Sequence, residues 1–384
     1  MTATRLAPFG TSIFAEMTRL ALENQAINLS QGYPDFEGPA PVIERAAEEF
    51  RKGQNQYART MGDPELVSAI AETLLEDQGR VLDPMTDVVV TSGATEGLAA
   101  SLLGLLNPGD SVVVFEPYYD SYHAGTVLAG AQLRTVPLRH PDFEVDLEAL
   151  EAALQGARLL LLNTPHNPSG KVFTRSELED IASLCQQHDV TVLTDEVYEH
   201  LAFDGREHIS IATLPGMHER SLVVSSAGKT FSFTGWKIGW VTGPKELVAA
   251  TQAAHQFLTF TVNTPVQRTM AWTLREYREP YFRELRHRFE ERRKLLIQEL
   301  TSCGFEAAPA QGGYFLLTRF AKHSDKSGAE FARELITKHG VAALPVDSFY
   351  LSDKSEGHAL IRFAFCKSRE TILAAGKRLR ALRA

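Results

Sequence analysis

Hydrophobic and polar positions alternate along the chain with two different periods. Ile13, Phe14, Met17, Leu20 and Ala21 recur at helical spacing, which predicts a first helix over residues 12–23. A loop rich in Gly and Pro, LSQGYPDFEGPAP, comes next. Pro41 suits the first turn of a second helix that ends near Gly53, and Asp63-Pro64 signals a cap and first turn for a third, reaching about Leu75. From residue 87 short β-rich runs take turns with helical ones. Residues 87–91, 111–115, 132–138, 157–163, 190–194 and 221–225 read as strands. Helices are predicted over 95–106, in the stretch after Phe115 to about Leu128, and over 146–154 and 174–188. The turn Asn107-Pro108-Gly109-Asp110 closes the first of these, and a Thr-x-x-Glu box at Thr174 and Glu177 opens the last. The run of leucines at 159–162 is apolar on both faces, the pattern of a parallel sheet covered by helices. A long charged helix is predicted over 280–303, then a strand at 313–318, a helix around 328–339, a strand at 358–365 and a last helix from Ser368. The fold class is therefore α/β, a mostly parallel central sheet plus a second, smaller α/β unit.

Composition sharpens this only slightly. The 384 residues are 44% hydrophobic and 23% charged, ordinary for a globular chain of about two domains. A net charge of −9 is a poor match for nucleic acid or an anionic membrane surface. No apolar run approaches the ~20 residues of a membrane span, and the start, MTATRLAPFG, lacks a signal-peptide core, so a cytoplasmic protein is expected. Cys185, Cys303 and Cys366 form no C-x-x-C pair, so neither a metal site nor a disulfide framework is expected. Each should be a small buried hydrophobe.

Candidate chemistry falls at strand ends, where a doubly wound sheet binds its ligands. Gly93-Ala94-Thr95 opens a helix after a strand, and exposed amides there suit a phosphate. Tyr118 and Tyr119 follow the next strand, Asn163 and Asn167 flank the turn NTPHNP, and Asp195 ends VTVLTD, with Glu196 and Tyr198 after it. Taken singly, these have plain explanations: a strand–helix turn, packing, proline turn geometry, a helix cap. The stretch SSAGKTFSFTGWKIGW, residues 225–240, changes the weighing. It sets Lys229 among Ser and Gly, with Lys237 eight positions later. Lysine condenses with carbonyls. Ser226-x-x-Lys229 also fits the S-x-x-K motif of penicillin-binding enzymes, but their K-T-G and S-D-N companions are absent. Neither G-x-G-x-x-G nor G-x-x-x-x-G-K-[ST] occurs. Together the residues make a coherent site for pyridoxal 5′-phosphate. Lys229 would carry its aldehyde as an aldimine, and Asp195 would keep the pyridine nitrogen protonated. Asn167 and Tyr198 would reach the phenolic oxygen and Tyr119 the ring face. Gly93, Ala94, Thr95, Ser226 and Lys237 would hold the phosphate. Arg362, in LIRFAF, would take a substrate carboxylate, a structural ion pair being its plain alternative.

At this point the chain resembles a fold-type I pyridoxal-phosphate aminotransferase of class I/II. It is most similar to the branch of kynurenine aminotransferases and bacterial methionine aminotransferases. The likeness covers nearly the whole chain through INLSQGYPDF, NQYARTMG, TSGATEG, EPYYDSY, NTPHNPSGKVF, TDEVYEH, SSAGKTFSFTGWKIGW, HQFLTFTVNTPVQ, GGYFLL and IRFAF. It implies a large cofactor-binding domain over 40–282 and a small domain made of 1–39 and 283–384. It implies that Lys229 is also the base that moves the substrate proton, that Gly32 lends an amide near the substrate carboxylate, and that Asn163 helps Arg362. Tyr57 would reach the cofactor phosphate of a neighbouring subunit, in a homodimer with shared sites. Three positions depart from relatives: Lys237 where many have Arg, Phe14 where kynurenine-type enzymes have Trp, and Thr261 where they have His. Phe14, Tyr33, Tyr118 and Phe260 would then form an aromatic pocket for methionine, phenylalanine, tyrosine or a kynurenine-like donor. A cysteine-conjugate β-lyase or an aspartate/succinyldiaminopimelate-type aminotransferase would use the same scaffold. A cofactor-sensing regulator would need a DNA-binding module, for which no room is expected before Ser12.

Overall fold

The computed structural model of the chain describes residues 3–383. At its centre lie seven strands in one sheet: β1 (Val88–Ser92), β2 (Ser111–Glu116), β3 (Gln132–Pro137), β4 (Leu159–Asn163), β5 (Thr191–Asp195), β6 (Ser221–Ser226) and β7 (Ile238–Thr242). Their order is β1-β7-β6-β5-β4-β2-β3. Neighbours from β6 to β3 run parallel, whereas β7 is antiparallel to both β1 and β6. The leucine run shows why the sheet is covered on both sides. Leu160 and Leu162 join one hydrophobic cluster with Val113 and Val192, and Leu159 and Leu161 join another with Val112, Val114 and Leu193.

A smaller antiparallel sheet has the order Leu344–Pro345, Leu360–Ala364, Phe315–Arg319, Glu306–Ala307. Ile27–Asn28 pairs in parallel with Val341–Ala342, tying the N-terminal segment to this part of the chain. The caps read from sequence do their work. The Ser12 side chain accepts from the Ala15 amide ahead of the helix Ile13–Glu23, and Thr174 and Glu177 close a full capping box. The helix Pro64–Gln78 runs three residues past the predicted end, to Gly79 in the left-handed region. The charged helix spans Arg278–Ser302, starting two residues early. All three cysteines are buried thiols.

Between Ser226 and Arg278 the structure adds what the pattern missed: β7 and the helices Lys245–Leu258 and Thr264–Glu276. The buried face of the first helix is Val248, Thr251 and His255. The second buries Thr264, Gln267, Thr269 and Thr273 among Val266 and Met270. Polar groups on the inner face blur a helical hydrophobic period. Thr269 and Thr273 are tolerated there because their hydroxyls donate to the carbonyls four residues back.

Candidate active site

Parallel register gathers polar residues at one edge of the sheet. Asn163 and Asp195 end β4 and β5 directly opposite each other, and Ser226 ends β6. Beyond that edge opens a cleft of about 430 Å³. Its walls include Phe14, Gly32, Tyr33, Ala94, Thr95, Tyr119, Asn163, Asn167, Asp195, Tyr198, Lys229 and Arg362, residues from ten places in the sequence. Gln31, Asp120, Tyr122 and Phe315 also line it, and the sequence did not single them out.

Lys229 sits in the single helical turn Ala227–Thr230 that leaves β6. Its Nζ donates to the Gly32 carbonyl at 3.3 Å, and the same oxygen accepts the Tyr314 hydroxyl at 2.6 Å. Burial lowers the Lys229 pKa, against the pull of the Cys366 thiol and the Asp195 carboxylate, while Arg362 and Lys237 lower it further. Asp195 accepts from the Tyr122 hydroxyl at 2.8 Å and from the Val197 amide at 3.3 Å. Burial still pushes its carboxyl up to about 6. Both groups are thus held nearer to neutrality than in water, as acid–base sites are. Burial likewise pushes Tyr119 up to about 12.

The other end of the cleft is a cradle for an anion. Gly93 opens the helix Gly93–Leu105 with φ +74, and an added Cβ would lie 3.2 Å from Lys237 Nζ. Lys237 itself is left-handed, φ 55, which turns its side chain back to that helix start. A Cβ on Gly239 would lie 2.6 Å from the Ala94 amide nitrogen, so β7 meets the helix N-terminus backbone to backbone. The Ser226 hydroxyl donates to the Ile238 carbonyl and accepts from the Gly228 amide, each at 3.2 Å. Helix amides, a hydroxyl and an ammonium in one place suit a phosphate. With Lys229 and a buried carboxylate beside it, the donor set fits pyridoxal 5′-phosphate.

Arg362 stands in the middle of Leu360–Ala364, 1% exposed. Its two terminal nitrogens donate to Asn167 Oδ1 at 2.9 Å and the Ser30 carbonyl at 3.0 Å, and its Nε has no partner. The guanidinium lies 3.8 Å from the Phe315 ring centroid. Among the described residues no carboxylate ion-pairs with it, which sets aside the structural ion pair. Asn163 is braced: Nδ2 donates to the Asp195 carbonyl at 2.8 Å, and Oδ1 accepts the Asn167 amide at 2.7 Å.

Outside the cleft walls of this chain, Gly93, Ser226 and Lys237 form the cradle beside Ala94 and Thr95, and three further sequence candidates lie away from both. Tyr57 and Phe260 pack edge to face at 5.3 Å, and are 80% and 49% exposed. Tyr118, expected to wall the pocket, is instead buried in the cluster with Leu98 and Val114. A strand-end aromatic can turn either way, and Tyr118 turns inward while Tyr119 faces the cleft. Of the groups missed, Tyr122 had a usable signal: it lies one helical turn after Tyr119 in EPYYDSY. Away from the cleft, Glu196, Glu199 and His208 bring donor atoms within 4.8 Å of one another. Those atoms already serve each other and nearby hydroxyls, Glu196 with His208, Thr194 and Ser210, Glu199 with Ser225.

The methionine aminotransferase of Escherichia coli (strain K12) is 41% identical over 379 residues, 98% of this chain and 97% of that one. Kynurenine–oxoglutarate transaminase 1 of Homo sapiens is 37% identical, covering 98% of this chain and 97% of its own. The solved structure of N-succinyldiaminopimelate aminotransferase from Mycobacterium tuberculosis superposes with a TM-score of 0.96 at 41% identity over 100% of both chains. Residues 24–379 match the family described as aminotransferase class I and II. A lysine, a buried carboxylate, an anion cradle and an unpaired arginine in one cleft belong with that match: the chain is an enzyme of the class I and II aminotransferase family.

Proposed function

We propose that this enzyme uses pyridoxal 5′-phosphate to move the amino group of an apolar or aromatic L-amino acid to a 2-oxo acid. The observation that carries the reading is Arg362, a buried cation with no carboxylate of its own, in the same cleft as Lys229 and Asp195. When bound, the cofactor supplies an electron sink for the electrons of the substrate Cα–H bond. Lys229 Nζ anchors the cofactor and, once free, takes and returns the Cα proton, a role typically worth ~10²–10⁴ in rate. Its lowered pKa favours the neutral amine that this role needs. Asp195 would accept from the cofactor ring nitrogen, and the Tyr122 hydroxyl, donating to it at 2.8 Å, fixes the orientation of that carboxylate. Tyr119 would cover the ring, and Asn167 and Tyr198 would face its phenolic oxygen. Gly93, Ala94, Thr95, Ser226 and Lys237 hold its phosphate. Arg362 takes the substrate carboxylate, with Asn163 and the Gly32 segment beside it.

Substrate choice rests on Phe14 and Tyr33 in the cleft wall and on the likeness to methionine aminotransferase. Tyr57 and Phe260, exposed in one chain, complete the site of a partner copy in a homodimer. Within each chain of this dimer the large cofactor-binding domain is 40–282 and the small domain is 1–39 with 283–384. No helix among the described residues is long and apolar enough to cross a membrane, in keeping with a cytoplasmic enzyme. The likeness to N-succinyldiaminopimelate aminotransferase supports a second reading, a donor with a long acidic side chain. A panel of amino donors, each with one 2-oxo acid, separates them. Turnover of methionine and phenylalanine well above aspartate is expected, and strong activity with aspartate alone would overturn the apolar-donor reading.

A further inference from the structure

One wall of the cleft carries a negative charge that the proposed chemistry does not use. Asp120 lines the cleft next to Tyr119, at the N-cap place of the helix Ser121–Leu128. It does not cap that helix, because its backbone is already helical and its side chain takes no capping hydrogen bond. Among the described residues no lysine, arginine or histidine ion-pairs with it. Burial raises its pKa; the Ser121 amide and the more distant Arg362 work against that rise. A half-buried carboxylate without a close cation keeps most of its field, and here the open direction is the cleft. The cations lining the same cleft are Lys229 and Arg362, and Lys237 stands in the cradle at its end. In the proposed function all three are committed, to the cofactor, to the α-carboxylate and to the cofactor phosphate respectively. A second carboxylate at the far end of a substrate would meet Asp120 with no cation left to offset it.

We propose that Asp120 is a specificity-determining residue whose carboxylate excludes amino acids and 2-oxo acids carrying a second, side-chain carboxylate. Uncharged side chains of similar length are admitted. The inference rests on the reading in which Arg362 takes the α-carboxylate. It assigns selection to repulsion of the wrong substrate as well as to aromatic contact with the right one.

The test uses the cofactor-loaded enzyme and follows the donor half-reaction by loss of its visible absorbance. L-methionine and L-glutamate are the probes, because their side chains are of similar length and differ in charge. The wild type should prefer methionine, and Asp120→Asn, which keeps the shape and removes the charge, should shrink that preference at least about tenfold, or ~1.4 kcal/mol. Asp120→Ser provides the same readout if the asparagine variant does not load cofactor. A preference that stays within about twofold of wild type in a loaded variant overturns the role of Asp120 and leaves the function intact. A wild type that reacts with glutamate and not with methionine overturns the substrate reading itself, and Asp120 with it.

Discussion

Asp195 holds its proton more tightly in the folded chain than outside it, about 6 against 3.8. A carboxyl whose pKa rises on folding binds more protons in the native state over that window. The contribution of Asp195 to the stability of the cofactor-free protein therefore falls as pH rises from 3.8 to about 6, and is lost above it. The size is roughly 3 kcal/mol at most. Asp195→Asn should remove that contribution, so the urea midpoint of the cofactor-free variant, relative to the wild type's, should rise between those pH values. Equal slopes would mean that Asp195 is not the buried acid described here. Arg362 gives a second prediction. Arg362→Lys keeps the charge but loses the planar fork, and should cut kcat/KM for the donor by roughly 10–10²-fold. Cofactor absorbance should be retained, and an unchanged kcat/KM would exclude carboxylate binding at this residue. At this scale Lys229, Asp195 and Arg362 were legible because each stands in a distinctive motif at a strand end or in a strand. Tyr122 and Asp120 were not, since their roles depend on which way a helix start faces. Tyr118 was misplaced for the same reason.

The elements that hold these residues were unevenly legible. β2, β4, β5 and β6 announce themselves as buried apolar runs, and the capped helices by their Ser, Thr or Asp signals. β7 did not: five residues after a left-handed lysine, antiparallel inside an otherwise parallel sheet. Yet it places Lys237 and Gly239 against the start of Gly93–Leu105. Gly239→Ala would drive a methyl group to 2.6 Å from backbone atoms of Gly93 and Ala94. That overpacking should cost about 1–3 kcal/mol and displace the cradle. We expect a lower melting temperature together with weaker cofactor retention on dialysis. A variant with wild-type retention would show that this backbone contact does not shape the phosphate site.

Across the whole molecule the cleft is shared between the large sheet, which ends in Asp195 and leads into the turn of Lys229, and the small sheet, which carries Arg362. The SQGYPDF loop bridges them. Lys367 Nζ donates to the Tyr33 carbonyl at 2.7 Å, and the Ser368 amide donates to Asp35 at 2.6 Å, so the loop is pinned beside the arginine strand. The hydrophobic pattern showed an α/β chain with a smaller second unit; the return of residues 1–39 to that unit was implied only by the family resemblance, and the pairing of Ile27–Asn28 with Val341–Ala342 is visible only in three dimensions. Exposed Tyr57 and Phe260 predict a dimer, and sedimentation should give about twice the chain's 42.5 kDa; a monomer with full activity would contradict shared sites. All of these parts converge on one nitrogen atom, Lys229 Nζ. Borohydride reduction of the cofactor-loaded enzyme followed by peptide mass mapping should place the pyridoxyl phosphate mass on Lys229, and Lys229→Ala should give neither the label nor the visible band. A label on another lysine, or a visible band and normal turnover in Lys229→Ala, would contradict the assignment of this cleft.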